Sequence, residues 1–307
     1  MSVAQTATPR AATQWARGLF NGQGQVFFQQ NILTGALIIA AFVVADWRMA
    51  ILAVLGTIGG MAGGRAMRFS LHNVGTGMQS FCGTLVGAAV FAALGGSSWW
   101  PYVLAFVGGI ATGPVTWLVN ALFTKTGLAR FELPYTTAPF VIVATIIVVA
   151  TRPLAQAAAA SALPTEPAPA FFVSLLTNVS QVVLVDNVFS GALILLGLFI
   201  ANWKVGTAAV LGSVVGSAVA IVLGESWSEI ANGLAGYSGV LTAIALAVTF
   251  VKSSIASWLY MVPWVAVTAV VTLLMHRAGV ETYTWPYILT TWAALIVAYS
   301  LKVLTRS

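Results

Sequence analysis

The sequence predicts an all-α integral membrane protein built from two inverted five-helix repeats, ten transmembrane helices in all, plus two re-entrant pore half-helices. Three observations predict it: an apolar, charge-poor composition, a long internal duplication, and an odd number of apolar segments in each half. The 307-residue chain is 59% hydrophobic and 7% charged, against roughly 25% charged in a soluble domain. It cannot cover a water-facing surface, so lipid must be the solvent for most of it. The first twenty residues carry Arg10 and Arg17 but no apolar core followed by a small-residue cleavage site, so no cleavable secretory signal is expected. Cys82 is the single cysteine and lies in an apolar run; it reads as a small buried filler, with no disulfide framework. The net charge of +6 comes without a basic run, which fits basic loops beside a bilayer and not nucleic-acid binding.

The duplication is direct. Gln25-Val26-Phe27-Phe28-Gln29-Gln30-Asn31-Ile32-Leu33-Thr34-Gly35 returns 156 positions later as Gln181-Val182-Val183-Leu184-Val185-Asp186-Asn187-Val188-Phe189-Ser190-Gly191. The same offset pairs Asp46-Trp47-Arg48 with Asn202-Trp203-Lys204 and Leu55-Gly56-Thr57 with Leu211-Gly212-Ser213. It also pairs Gly77-Met78-Gln79-Ser80-Phe81-Cys82-Gly83 with Gly233-Leu234-Ala235-Gly236-Tyr237-Ser238-Gly239. A duplicated apolar chain is the sign of a transport protein whose site lies between its halves.

In chain order, Ala11 to Phe28 mixes Asn21, Gln23 and Gln25 with apolar residues and reads as a re-entrant half-helix, with an interfacial amphipathic helix as the alternative. Five spans follow near 32–46, 49–65, 76–95, 101–122 and 136–151, each judged against the ~20 apolar residues a crossing needs. Pro153, Pro164, Pro167 and Pro169 with an Ala run then make a linker. Phe171 to Leu184 reads as the second half-helix, and spans near 188–202, 205–223, 235–251, 254–275 and 285–301 complete the chain. The domains are therefore 1–152, a first membrane repeat, 153–170, a Pro/Ala-rich linker, and 171–307, a second membrane repeat.

Charge placement orients this layout. With the N-terminus in the cytoplasm, Arg10, Arg17, Arg65, Arg68, Lys125, Arg130, Lys204, Lys252, Lys302 and Arg306 fall inside, and only Arg48, Arg152 and Arg277 fall outside. Glu225 and Glu229 also lie outside. The positive-inside rule then puts both termini in the cytoplasm. Five spans per half is odd, so the halves must face opposite ways.

The membrane residues exclude several chemistries. The sequence has no cluster of His or Cys for a metal site, and none is expected; nor is a cofactor. No carboxylate lies deep in a span, which leaves a proton relay or cation site without ligands. His72 and His276 lie at span ends without counterparts in the repeat. Asp186 matches the neutral Gln30 and reads as a local cap. Two nearby features recur in neutral form. Gln25 and Gln181 offer amide oxygens, and Thr137 offers a hydroxyl within Leu133-Pro134-Tyr135-Thr136-Thr137-Ala138-Pro139-Phe140. Thr284 offers another in the weaker copy Val280-Glu281-Thr282-Tyr283-Thr284-Trp285-Pro286-Tyr287. A proline two residues after each Thr suits a first helical turn. Beside them lie Phe28, Phe81, Tyr237, Val26, Val182, Leu85 and Leu241. Oxygen acceptors between flat apolar walls suit a small, flat, uncharged solute rich in N–H donors, because each N–H stripped of water needs an acceptor.

These residues resemble the urea transporter family. The two Gln-Val-x-x-x-x-Asn-x-x-[Ser/Thr]-Gly blocks, the two Gly-x-x-x-[Phe/Tyr]-x-Gly blocks and the complete Leu-Pro-x-x-Thr-x-Pro-Phe signature at Leu133 to Phe140 carry the likeness, which runs from about Phe20 to Leu301. The resemblance implies passive, channel-like transport of urea through a pore in each subunit, with subunits assembled as a homotrimer. It implies that Gln25 and Gln181 accept hydrogen bonds at the outer parts of a filter, that Thr137 and Thr284 form its middle, and that Phe28, Phe81, Tyr237, Leu85, Leu241, Val26 and Val182 shape its slot. The compact chain and its lack of targeting segments lead us to expect a bacterial inner membrane, and the lack of an acid–base pair or nucleophile constellation leads us to expect no enzyme.

The chain departs from the family pattern at several places. Val280-Glu281 replaces the second Leu-Pro, Tyr287 replaces Phe, and Leu184 stands opposite Phe28. Gln181 occupies a position where an acidic residue is frequent. Cys82 and Ser238 stand where the motif often has Asn, and Ser80 replaces a Gly. Pairing Pro286 with Pro134 would remove Thr284 from the filter. A channel for a related small amide and an ion-coupled secondary transporter are the alternative functions.

Overall fold

The computed structural model describes residues 11–156, 163–301 and 303–306. Its first half runs α1 (Ala11–Gln25), α2 (Ile32–Ala45), α3 (Trp47–Ala66), α4 (Leu71–Gly75), α5 (Phe81–Leu94), α6 (Trp100–Lys125) and α7 (Ala138–Thr151). The second runs α8 (Pro167–Ser180), α9 (Val188–Ala201), α10 (Trp203–Val222), α11 (Trp227–Ala231), α12 (Tyr237–Ile244, continued by a π-turn over Ala245–Thr249), α13 (Ile255–Arg277) and α14 (Trp285–Tyr299). Among the described residues the fold is all-helical, apart from one isolated antiparallel bridge between Val251 and Arg306.

Polar residues start the matching helices. Asn31 caps α2 through the backbone N–H of Thr34 at 3.0 Å, and Asn187 caps α9 through that of Ser190 at 2.9 Å. The cap expected of Asp186 is therefore made by Asn187, which directly precedes the first residue of α9 and so occupies the N-cap position. Asp46 and Asn202 likewise cap α3 and α10. Asn31→Ala and Asn187→Ala should each cost about 1 kcal/mol, read as a lower Tm of detergent-extracted protein. An unchanged Tm in both would show that the bends before α2 and α9 do not depend on these caps.

Among the described residues four helices (α3, α6, α10 and α13) are long and apolar enough to cross a membrane alone, and α8 with α9 forms an apolar pair bent by 78°. The segments expected as full crossings near 32–46, 76–95, 136–151, 188–202, 235–251 and 285–301 are shorter. A helix of 14 residues, as α2, α5, α7 and α9 are, rises only about 21 Å against a hydrocarbon core of about 30 Å. The span expected at 76–95 begins with a turn through Thr76–Ser80, where Gly77 has φ +84° and its counterpart Gly233 has φ +82°. Only glycine adopts that conformation without strain. The linker expected over 153–170 also ends early, because Pro167 and Pro169 sit in the first turn of α8, where a missing N–H is harmless.

Large apolar side chains such as Val107, Leu118, Ile146, Phe189 and Leu259 face outward, and the exposed Trp47, Trp99 and Trp203 stand at helix starts. That is the surface of a protein solvated by hydrocarbon, with aromatic rings at its margins. The final turn of α1 is buried, as a helix lying on the bilayer surface would not be.

The two halves touch reciprocally. The Thr34 hydroxyl donates to the Gly197 carbonyl at 2.8 Å, and the Ser190 hydroxyl donates to the Ala41 carbonyl at 2.7 Å. Thr34 and Ser190 are counterparts, as are Ala41 and Gly197, so α2 and α9 cross through one contact made twice. The half-helices are tied in by buried polar groups: Gln23 Nε2 donates to Thr57 Oγ1 at 2.7 Å, and Asn178 Nδ2 donates to Ser213 Oγ at 2.8 Å.

Candidate functional site

Each half-helix ends on a residue in the left-handed region. Phe28 has φ +62° and Leu184 has φ +64°. The turn at Phe28 closes through Gln29 N–H to Gly24 C=O at 3.0 Å, and that at Leu184 through Val185 N–H to Ser180 C=O at 3.2 Å. A non-glycine residue there costs roughly 1–2 kcal/mol, and the distortion turns the chain so that Phe28 and Leu184 face open space. Phe28 lines a cavity of about 320 Å³ with Gln25, Phe81, Tyr135, Thr136 and Phe250. Leu184 lines a second of about 210 Å³ with Gln181, Tyr237, His276, Thr282 and Tyr283.

The two amides are set the same way. Gln25 Nε2 donates to the Thr76 carbonyl at 3.0 Å, and Gln181 Nε2 donates to the Asn232 carbonyl at 2.9 Å. A carbonyl partner can be met only by the NH₂ side, so each Oε1 remains the free acceptor at its cavity. Both carbonyls lie just beyond the short helices α4 and α11, immediately before the turns at Gly77 and Gly233.

Between the cavities the hydroxyls of Thr137 and Thr284 meet at 2.6 Å. Both residues are N-caps, of α7 and α14, yet neither side chain bonds its own helix. The structure thus pairs Pro286 with Pro139, in the first turns, and not with Pro134. The offset between the halves is 147 here, because the connection from α6 to α7 carries an extra stretch containing a 3-10 turn at Gly127–Phe131. Val26, Leu85, Val182 and Leu241 are fully buried and line neither cavity.

Aromatic walls differ between the copies. In the first cavity Phe28 meets Phe250 edge-on at 5.4 Å, and Phe81 stacks on Tyr135 at 6.0 Å. In the second the Tyr237 hydroxyl bonds Thr282 at 3.0 Å and the Tyr283 carbonyl. His276, which stood apart from the repeat in sequence, contacts Thr282 through Nε2 at 2.9 Å and also borders a larger vestibule with Glu225, Glu229 and Arg277. Arg277 pairs with Glu225 at 2.6 Å, and hydrogen bonds from Ser226 hold the Glu229 carboxyl below its usual range.

Sequence reasoning missed Phe250, Tyr135, Tyr283 and His276. Phe250 follows the π-turn that interrupts the second copy only, so the repeat carried no signal for it. Tyr135 and Tyr283 lie inside the Thr-Pro motifs, and their aromatic character beside those motifs was the available clue.

The family model described as urea transporter matches residues 16–299. Urea transporter 1 of Rattus norvegicus is 24% identical over 302 residues, covering 92% of this chain and 77% of its own length. That of Ovis aries is 23% identical over 303 residues, covering 93% and 78%. That of Mus musculus is 40% identical over 85 residues, covering 28% and 22%.

Proposed function

Because the chain belongs to the urea transporter family, we propose that it carries urea passively across a membrane, from one cavity to the other past the Thr137–Thr284 pair. The observation that carries this reading is that pair, held between two cavities that each present a free amide oxygen. Urea is planar and neutral, with four N–H donors to satisfy once water is stripped. Gln25 Oε1, the two threonine hydroxyls and Gln181 Oε1 accept them in succession, and several weak sites keep the solute from being trapped. The aromatic walls of the first cavity fit a flat molecule.

Helix ends support a neutral cargo. α1 and α8 end at the glutamines, so their partly negative C-termini face the cavities and favour N–H donors. α7 and α14 begin at Thr137 and Thr284, and their partly positive N-termini oppose a cation at the narrowest point. Among the described residues no carboxylate lines the first cavity, which argues against an ion-coupling site there.

The same reading holds that residues 1–152 and 171–307 are two inverted membrane repeats joined by 153–170, with ten crossings and both termini cytoplasmic. The Gln25 cavity then opens inward and the Gln181 cavity outward. The family resemblance supports a homotrimer with one pore per subunit, transporting without catalysis, and the compact chain supports a bacterial inner membrane.

Stopped-flow urea entry into proteoliposomes, with empty liposomes and glycerol as controls, tests the proposal. Fast entry without an ion gradient supports it; entry at the liposome background, or entry that follows membrane potential, overturns it. Thr137→Val keeps the shape and removes one acceptor, and should lower flux about tenfold with normal folding. Unchanged flux in well-assembled Thr137→Val would remove that hydroxyl from the path.

A further inference from the structure

Two buried hydroxyls beside the first cavity have no hydrogen-bond partner among the described residues. The Oγ1 of Thr136 and the phenol oxygen of Tyr287 are both shielded from solvent and both without a hydrogen bond. Thr136 lines the cavity, and the Tyr287 ring packs against Phe28, the cavity's wall, at 6.1 Å. The phenol and the Thr136 hydroxyl are neighbours, yet no hydrogen bond of normal geometry joins them. Other shielded polar atoms, Thr291 Oγ1 among them, are also without a partner, but Thr136 borders the cavity and Tyr287 packs on its wall, where a passing solute can satisfy them.

The internal repeat shows that this pair is no necessity of the fold. The counterparts of Thr136 and Tyr287, 147 positions away in each direction, are Tyr283 and Phe140. Those two meet ring to ring at 5.3 Å, edge-on, and neither is among the shielded groups without a partner. Where one copy closes with an apolar contact, the other places two hydroxyls. Thr136 has φ +49° and its counterpart Tyr283 φ +38°, so both copies share the turn and differ in the side chains it carries.

The glutamines and the axial threonines supply acceptors. A carbonyl solute also needs a donor for its own oxygen, and a phenol is a stronger donor than an aliphatic hydroxyl. We infer that Tyr287, backed by Thr136, is a specificity-determining donor that receives the carbonyl oxygen of the solute as it passes between the Gln25 cavity and the axis. This rests on the transport reading above and adds to it a residue that selects for C=O.

Urea and thiourea test it, since they share planarity and N–H donors while a thiocarbonyl sulfur accepts hydrogen bonds poorly. Flux of both solutes would be measured in proteoliposomes holding the full chain, as wild type, Tyr287→Phe and Thr291→Val. Thr291 lies one turn beyond Tyr287 on α14, and its hydroxyl is also buried without a partner, so it controls for loosening of the helix. Tyr287→Phe should lower urea flux about tenfold and leave thiourea flux nearly unchanged, with Thr291→Val keeping the wild-type ratio. A wild-type urea-to-thiourea ratio in folded Tyr287→Phe, or the same loss of ratio in Thr291→Val, overturns the inference while leaving urea transport standing. Wild type that carries neither solute overturns the transport reading, and this inference with it.

Discussion

Gly56→Leu should abolish folded protein. A Cβ at Gly56 would strike the backbone carbonyl of Gly83, and one at either Gly83 or Gly109 would strike the carbonyl of Gly56. Three helices, α3, α5 and α6, therefore meet backbone to backbone at one point. In a bilayer, helices gain little from burying apolar surface against each other, so close contact and dispersion hold them together. Overpacking a core that can yield costs typically about 1–3 kcal/mol; here the added group meets the backbone of α5 at Gly83 and Gly87, and no side chain can swing away. Gel filtration of detergent extracts should show no monodisperse species. The counterpart, Gly212, packs on Gly239 and the methyl of Ala243, and Val265 replaces the third glycine, so Gly212→Ala should be milder than Gly56→Ala. A well-behaved Gly56→Leu protein would sink this account of the packing.

Gln181→Leu should lower urea flux by about tenfold or more, because an N–H without an acceptor costs roughly 1–3 kcal/mol. Leucine keeps the bulk but loses both the oxygen offered to solute and the bond to the Asn232 carbonyl. Gln25→Leu should do the same at the other cavity. The two changes together are the sharper test. Barriers in series add as resistances, so the double variant should be only about twofold slower than either single one. Losses that multiply would mean that both glutamines act on one solute at one barrier. Normal single-variant flux in folded protein would remove the amides from the path.

Much of the helical order was legible because the duplication repeats its caps and turns as well as its apolar runs. Asn31 with Asn187 and Gly77 with Gly233 fix matching bends, and a matching bend at a fixed offset is hard to produce by composition alone. Span lengths were less legible. An apolar window covers a helix, a break and the next helix alike, so Thr76–Ser80 looked continuous with α5, and Pro167 looked like linker until it stood in a first turn. The candidate site was legible as a set of acceptors, since Gln25, Gln181, Thr137 and Thr284 recur. Its aromatic walls were not. Phe250 arrives through a π-turn that one copy has and the other lacks, and the Phe28 ring is aimed by a backbone conformation that no residue type announces. Asp186 misled because its neutral counterpart Gln30 argued for a local role, when the adjacent Asn187 stands at the N-cap position.

The unequal cavities, about 320 and 210 Å³, bear on what a leak of this kind is able to do. A conduit with unlike ends resembles a ratchet, and a solute meeting rings first on one side and tyrosine hydroxyls first on the other enters at different rates at low occupancy. Without a gradient or chemical step to drive it, those differences must cancel around any closed cycle. The two ends can saturate at different concentrations, and an inhibitor shaped for one need not fit the other. Where the solute comes to rest is set by the two compartments alone.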